Sequence, residues 1–340
     1  TPSLPSPSTK SLIQNFQSKY GNVEHVVFDA VDSTPALDAA EEIFGQRVIP
    51  HVDLTNTELV VGFNADFLND YHGLSLEKSY ATAKKPGEKM LRHIQVESNL
   101  SMTGANSDSR FPLKPSMTYK LLADVYNALN GGSVSTDVGA AIASELKAKG
   151  SKAVVLADGN KEAYALAYAI NQKLGSSAIT GKSVLLKESN HATFKSFLND
   201  ANAGNVGLLL IFNSNPIEHS YYAENFKEIL KKVPVSVALT DQNNETAKNV
   251  NVVAPTPHWL ESWGDFNPMT GVYALQQPTI QPIFDTRQFQ DSLIKWTNAD
   301  GSDLGETDTA EGAVAATAAA VVDSATAAVQ KVAASVSIGE

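Results

Sequence analysis

Leu208-Leu209-Leu210-Ile211-Phe212-Asn213-Ser214-Asn215-Pro216 is the stretch on which the fold turns. Five consecutive apolar residues bounded by a polar, proline-closed turn describe a strand buried on both faces, the kind found in parallel sheets. The segments after it keep the scheme. Tyr222 to Lys232 has helical spacing, Val235-Ser236-Val237-Ala238-Leu239 is a second apolar run, and Val252-Val253-Ala254-Pro255 closes the series. In an open parallel sheet, ligands lie outside the carboxyl ends of the strands, so a site in this half is expected beside Asn213 to Asn215.

Moving toward the amino end, the same alternation recurs. Ala153-Val154-Val155-Leu156 is a strand leading through Asp158-Gly159-Asn160 into a helix with Ala163, Leu166, Ala167, Ile170 and Leu174 on one face and Gly175 as its stop. Asp137 to Lys149 and Ser116 to Leu129 are expected helices. Glu58 to Phe63 and Leu91 to Val96 are expected strands, and Thr34 to Phe44 is a helix with Pro35 in its first turn and Gly45 past its end. His25-Val26-Val27-Phe28 is a further expected strand and Ser8 to Tyr20 a helix. The segment Glu97 to Pro115 is a long irregular connection, either functional or a packing loop. Alternating β and α elements predict an α/β fold of two Rossmann-like parallel-sheet units.

The boundaries follow composition. Residues 1–130 are expected to form the first α/β unit, with Asn130-Gly131-Gly132-Ser133 as the joint, and residues 131–256 the second. Residues 257–297 are rich in proline and aromatic residues and predict an extended surface wrap ending in a helix. Residues 298–340 form an Ala-rich tail with an apolar stripe at Val322, Ala325, Val329, Val332 and Val336, read as a linker or a docking helix.

The chain has 340 residues, 43% hydrophobic, with a formal net charge of -11. That balance supplies a full core and excludes a basic footprint for nucleic acid. With no cysteine, the chain carries no disulfide, thiolate metal site or cysteine-bound iron–sulfur cluster of its own. Thr1 and the Pro/Ser-rich lead read as a processed terminus or interior fragment whose targeting segment is already absent.

Chemistry-bearing motifs are sparse. No G-x-G-x-x-G, P-loop or G-x-S-x-G is present, and none of the seven histidines forms an H-x-x-x-H pair. Asp29 with Asp32 and Asp66 with Asp70 read as turn or cap carboxylates. Trp259, Trp263, Phe266 and Tyr273 are an aromatic cluster suited to docking on the sheet domains or on another subunit. No catalytic residue and no metal ligand is assigned. The rim of a vestigial pocket is placed at Asp158, Gly159, Asn213, Asn215 and Glu261.

Several blocks carry a family resemblance. Asp158-Gly159 with Asn171 and Leu174-Gly175, Asn213-Ser214-Asn215-Pro216, Glu245-Thr246-Ala247, Val252-Val253-Ala254-Pro255 and Glu261-x-x-Gly264 resemble, in order and spacing, the molybdopterin oxidoreductase superfamily, with Asn213 in place of the glycine of a G-x-N-P turn. His93-Ile94-Gln95-Val96-Glu97-Ser98, Ser101-Met102-Thr103-Gly104-Ala105-Asn106 and Gln276-Gln277-Pro278-Thr279-Ile280 are similar to one branch, the B subunit of bacterial alternative complex III. That resemblance implies a molybdopterin-like domain without molybdenum, acting as a non-catalytic scaffold in a quinol-oxidising respiratory complex on the periplasmic side of the inner membrane. It implies iron–sulfur clusters in a separate ferredoxin-like, cysteine-rich domain. Its implied partners are a multihaem cytochrome c and an integral membrane quinol-oxidising subunit. The alternatives are an active pterin- or nucleotide-binding oxidoreductase subunit and a free-standing solute-binding protein.

Overall fold

The computed structural model describes residues 1–87 and 89–298; the Ala-rich tail and its valine stripe lie outside the described residues. In chain order the elements are α1 (Pro7–Tyr20), α2 (Thr34–Phe44), β1 (Ile49–Val52), β2 (Leu59–Phe63), α3 (Glu77–Ala83), β3 (Arg92–Glu97), α4 (Met102–Ala105), β4 (Ser109–Pro112), α5 (Pro115–Leu129) and α6 (Asp137–Lys149). They continue with β5 (Ala153–Ala157), α7 (Lys161–Leu174), β6 (Ile179–Val184), α8 (His191–Asn202), β7 (Leu208–Phe212), α9 (Pro216–His219), α10 (Ala223–Lys232), β8 (Val235–Thr240), β9 (Val252–Pro255), β10 (Gly264–Met269), β11 (Val272–Gln276) and α11 (Phe289–Asn298).

The chain divides into two compact units, residues 33–188 and residues 1–32 with 189 onward. This corrects the boundary at 130/131. The reason is strand pairing: β5, assigned by sequence to the second unit, pairs in parallel with β2 of the first, Leu59 opposite Ala153 through Phe63 opposite Ala157. Adjacency in a sheet is a long-range property that composition around Gly131 and Gly132 does not encode.

In the unit of residues 33–188 the parallel sheet has the order β4-β3-β2-β5. Its strands alternate between two cores, as period-2 side chains must. Val60, Val154 and Leu156 pack with Ala36, Leu37 and Tyr168, while Leu59, Val61, Val155 and Ala157 pack with Leu122, Ile142 and Ile170. A separate antiparallel ribbon joins β1 and β6, Ile49 opposite Val184. The unit therefore adds an antiparallel ribbon to the parallel sheet that the alternation predicted.

The other unit carries the parallel sheet β7-β8-β9. Leu209 and Ile211 face the core of α8 and α10 with Phe194, Phe226 and Ile229; Leu210 and Phe212 face the core of α1 and α11 with Phe16, Phe289 and Leu293. The expected strand at His25 to Phe28 forms no strand. It lies beside the proline-rich lead, where Phe28 N–H donates to Thr1 O at 2.8 Å and Asp29 accepts from Ser3. Pro2, Pro5 and Pro7 lack N–H donors, so a continuous ladder cannot form there. The expected extended wrap contains instead the hairpin β10–β11, Gly264 opposite Gln276.

Candidate functional site

At the carboxyl ends of β7 and β8 a cleft of about 720 Å³ opens, lined by Asn213, Asn215, Glu218, Asp241 and Glu245, with Asp29 on its rim. This is where an open α/β sheet presents ligands. Asn213 ends β7 in the left-handed region, φ 45°, with its N–H donating to Leu239 O at 3.0 Å. Asn tolerates that conformation better than other non-glycine residues, which accounts for its standing where a family turn carries glycine.

Asn215 is buried and fully bonded. Its Oδ1 accepts from Thr246 N at 3.1 Å and from Thr246 Oγ1 at 2.7 Å, and its Nδ2 donates to Glu218 Oε2 at 2.7 Å and Glu245 Oε2 at 2.9 Å. Thr246 Oγ1 in turn accepts from Ile217 N at 3.3 Å. Two of the motif blocks read separately in the sequence, Asn215-Pro216 and Glu245-Thr246-Ala247, are thus the two halves of one latch between neighbouring loops. The bond from Asn215 holds the Glu245 carboxyl below its usual range.

The lining is electronegative. Asp29, Glu218, Asp241 and Glu245 are carboxylates, His219 is the sole group able to become cationic, and no lysine or arginine lines the cleft. Lys248 approaches Glu245 Oε1 at 3.9 Å from outside the lining. Such a cleft disfavours anions; even in water each like-charge pair at 4 Å costs about 1 kcal/mol. Sequence reasoning placed Asn213 and Asn215 here and missed Asp29, Glu218, Asp241 and Glu245 as one acidic wall. The signal was in the sequence, as carboxylates one to six residues beyond three expected strand ends, at Phe28, Phe212 and Leu239.

Glu261 is buried in a single turn of 3₁₀ helix, Trp259–Glu261, and is not among the cleft residues. Asp158 and Gly159 belong to the other unit, at the carboxyl end of β5. There Asp158 Oδ1 accepts from Tyr164 OH at 2.6 Å, and Asn160 caps α7 by accepting from Ala163 N at 3.1 Å. Gly159 has φ +147°, and a Cβ there would meet only Ala163 Cβ at 3.8 Å. Its glycine is needed for backbone conformation rather than to admit a phosphate. Asn171, another motif residue, exchanges two 2.8 Å bonds with Val155 N and O, satisfying the outer edge of β5 as a neighbouring strand would.

The long connection after β3 also resolves into packing. His93, Gln95 and Glu97 alternate along β3 and are all buried. His93 Nδ1 lies 3.1 Å from Tyr80 OH, Gln95 Nε2 donates to Ala65 O at 3.0 Å, and Glu97 accepts from Arg110 Nε at 2.6 Å and Ser101 Oγ at 2.6 Å. Burial pushes the Glu97 carboxyl up, but the bonds from Arg110 and Ser101 outweigh it and hold it below the usual range. Burial lowers His93. Asp66 accepts from Thr103 N and Oγ1, and Asp29 from Ser3 N and Oγ, so both tie together segments far apart in sequence. Among the described residues no group of His, Asp and Glu has metal-binding geometry.

No family model matches the chain. A stretch of 101 residues is 36% identical to the menaquinone reductase, molybdopterin-binding-like subunit of Nitratidesulfovibrio vulgaris, covering 28% of this chain and 15% of that relative. In fold the chain is similar to acetylene hydratase from Pelobacter acetylenicus, with TM-score 0.61 and 11% identity over 86% of this chain and 53% of that one. It is also similar to a chain of the formyltransferase/hydrolase complex from Methylorubrum extorquens in complex with methylofuran, with TM-score 0.58 and 12% identity over 86% and 88% of the two chains. At such identities the structural likeness is one of fold. Over the matched stretch the chain is similar to a molybdopterin-binding-like subunit, and over the rest the likeness to these solved structures is one of mixed α/β fold.

Proposed function

We propose that this chain is a molybdopterin-like scaffold, without catalysis of its own, within a subunit of a membrane-associated respiratory complex that handles quinol. The similarity to a menaquinone reductase subunit supports the electron-transfer setting. The observation that carries the non-catalytic part is the acidic cleft. A molybdopterin cofactor bears a phosphate or pyrophosphate, which needs N–H donors, lysine or arginine around it. Here the wall offers four carboxylates, and the backbone N–H groups of Asn213 and Thr246 are already committed to Leu239 and Asn215. The residues present do not fit the group.

In this reading the strand-end turns hold loops together instead of holding a cofactor. The chain contributes to electron transfer by geometry, keeping the iron–sulfur and haem groups of its partners at fixed separations. Those partners are a ferredoxin-like domain, a multihaem cytochrome c and an integral membrane subunit. The periplasmic face of the inner membrane is the proposed location. The proposed branch is the B subunit of alternative complex III, which the motif blocks from His93 to Ile280 resemble.

The test is turnover of the purified native complex carrying Glu218→Gln or Glu261→Gln. With assembly intact, quinol oxidation per complex is expected to stay within twofold of the parent. A hundredfold loss in a fully assembled complex would overturn the scaffold reading and favour an active oxidoreductase subunit.

A further inference from the structure

The loop between β2 and α3 is pinned by a four-residue turn, Tyr71 to Leu74. Leu74 N–H donates to Tyr71 O at 2.9 Å, and the two residues form an isolated antiparallel bridge. Both central residues are left-handed, His72 at φ 58° and Gly73 at φ 76°, which makes the turn type I′. Asn, Asp and glycine are the usual residues there, because a larger side chain strains the backbone. Gly73 meets that demand. His72 holds the other position against it, an outlier that points to a role for its ring.

The ring is wedged between two tyrosines. Its centroid lies 4.8 Å from that of Tyr71 and 5.4 Å from that of Tyr164. Both tyrosines are buried and tied to the carboxyl end of β5: Tyr71 OH donates to Ala157 O at 2.9 Å, and Tyr164 OH to Asp158 Oδ1 at 2.6 Å. His72 Nε2 is shielded from solvent and has no hydrogen-bond partner among the described residues. In the neutral ring with its proton on Nδ1, Nε2 is a bare acceptor whose isolation costs one unmade bond. In the imidazolium it becomes a donor carrying positive charge, and burying that without a partner costs far more. The charged groups facing the ring divide. Asp158 after β5 and Asp70, which accepts from Gly73 N at 3.4 Å, favour a cation, and Lys187 after β6 opposes one. Burial outweighs the two carboxylates and holds His72 below its ordinary 6.5. Tyr71 and Tyr164 stay neutral, since burial pushes both above 10.

We infer that this turn is an acid-released latch: protonation of His72 swings Tyr71 to Leu74 out of the core, breaks the bond from Tyr71 OH to Ala157 O and uncovers the carboxyl end of β5. The proton goes to Nε2, for which the closed turn offers no acceptor and the open turn offers water. Tyr71 and Leu74 are among the least buried members of the cluster around Leu37, Val154 and Leu156, so they leave without dissolving it. The closed form binds the proton more weakly than the open one. The latch therefore holds fully above pH 6.5 and loosens as pH falls below it, the open population rising by at most about tenfold per pH unit. The latch requires nothing of the function proposed above.

The test is amide hydrogen exchange of the full chain, read at Leu74 N–H and, as reference, at Val155 N–H in the centre of β5, with the intrinsic pH dependence of exchange divided out. Between pH 7.5 and 5 the protection of Leu74 is expected to fall about threefold or more, and that of Val155 by less. An unchanged Leu74 overturns the inference. So does an equal fall at both amides, which would make the opening global. His72→Asn keeps a residue suited to the left-handed turn and removes the titrating ring, so Leu74 is expected to keep its pH 7.5 protection down to pH 5. The parent's full acid loss persisting in this variant overturns the inference. A second readout needs no variant: the His72 imidazole, followed by NMR in the folded chain, is expected to titrate below 6.5, and a midpoint at or above that value overturns the inference.

Discussion

Replacing Asn215 with alanine removes the latch between the loops after β7 and β8. The side chain takes four hydrogen bonds, but they are unequal. Those to Glu218 and Glu245 end on exposed carboxylates that water can rehydrate, so their loss costs little. Those from Thr246 N and Oγ1 end on a residue that is 0% exposed. Leaving two buried donors unpaired costs about 1–3 kcal/mol each, and water entering from the adjoining cleft recovers part of it. The net expectation is about 2–4 kcal/mol, which for a unit of this size lowers the melting temperature by about 6–12 °C. The assay is thermal and urea unfolding of the full chain, with Asn215→Ala compared against Asn213→Gly. The second change keeps the left-handed turn and is expected to lie within about 1 kcal/mol of the parent. A melting temperature for Asn215→Ala within 2 °C of the parent would refute the latch.

Other consequences are as direct. Gly62→Ala would place a Cβ 2.0 Å from Gln95 Oε1, so Gln95 must leave its bond to Ala65; a loss of about 2–4 kcal/mol is expected in urea unfolding. Asn171→Leu should expose the edge of β5 by removing both bonds to Val155, costing about 2–4 kcal/mol and raising aggregation in light scattering. Stability should fall on acidification. Buried His93, lowered below the ordinary 6.5, favours the neutral form, so its contribution is complete above that value and is lost as pH falls through the folded one. Glu97, also lowered, contributes above the ordinary carboxyl range and loses that contribution in stronger acid. Unfolding midpoints that stay flat as pH falls below 6.5 would contradict the His93 assignment, and midpoints that stay flat below about 4.5 the Glu97 assignment.

Much of this fold is legible locally. Pro35 in the first turn and left-handed Gly45 past the last bound α2 as expected, and α6 runs from Asp137 to Lys149 as its spacing indicates. The apolar runs of β5, β7 and β8 fall where expected because a strand covered on both faces has no other reading. Partner choice was not legible. Nothing in Ala153 to Ala157 says that its neighbour is Leu59 to Phe63, and nothing in Ile49 to Val52 announces an antiparallel partner at Ile179 to Val184. The ladder His93, Gln95, Glu97 alternates as a half-exposed strand would, yet its polar face is buried because Tyr80, Ala65, Ser101 and Arg110 complete its bonds.

The same limit applies to the site. Asn213 and Asn215 could be placed at a strand end from sequence, and the structure puts both in the cleft lining. Asp158 and Gly159 could be read as a turn, and they form one. The pairing of Asn215 with Thr246, thirty-one residues apart, needed the fold. It changes the meaning of both motifs from a pocket rim to a structural tie.

We propose that this domain keeps the fold of its structural relatives without the cofactor's chemistry. The most direct measurement is molybdenum and iron content of the native assembly containing this chain, by mass spectrometry of the metals after purification from its source. Iron from cluster- and haem-bearing partners with no stoichiometric molybdenum is the expected result. One molybdenum per chain would contradict the account and make this an enzyme subunit.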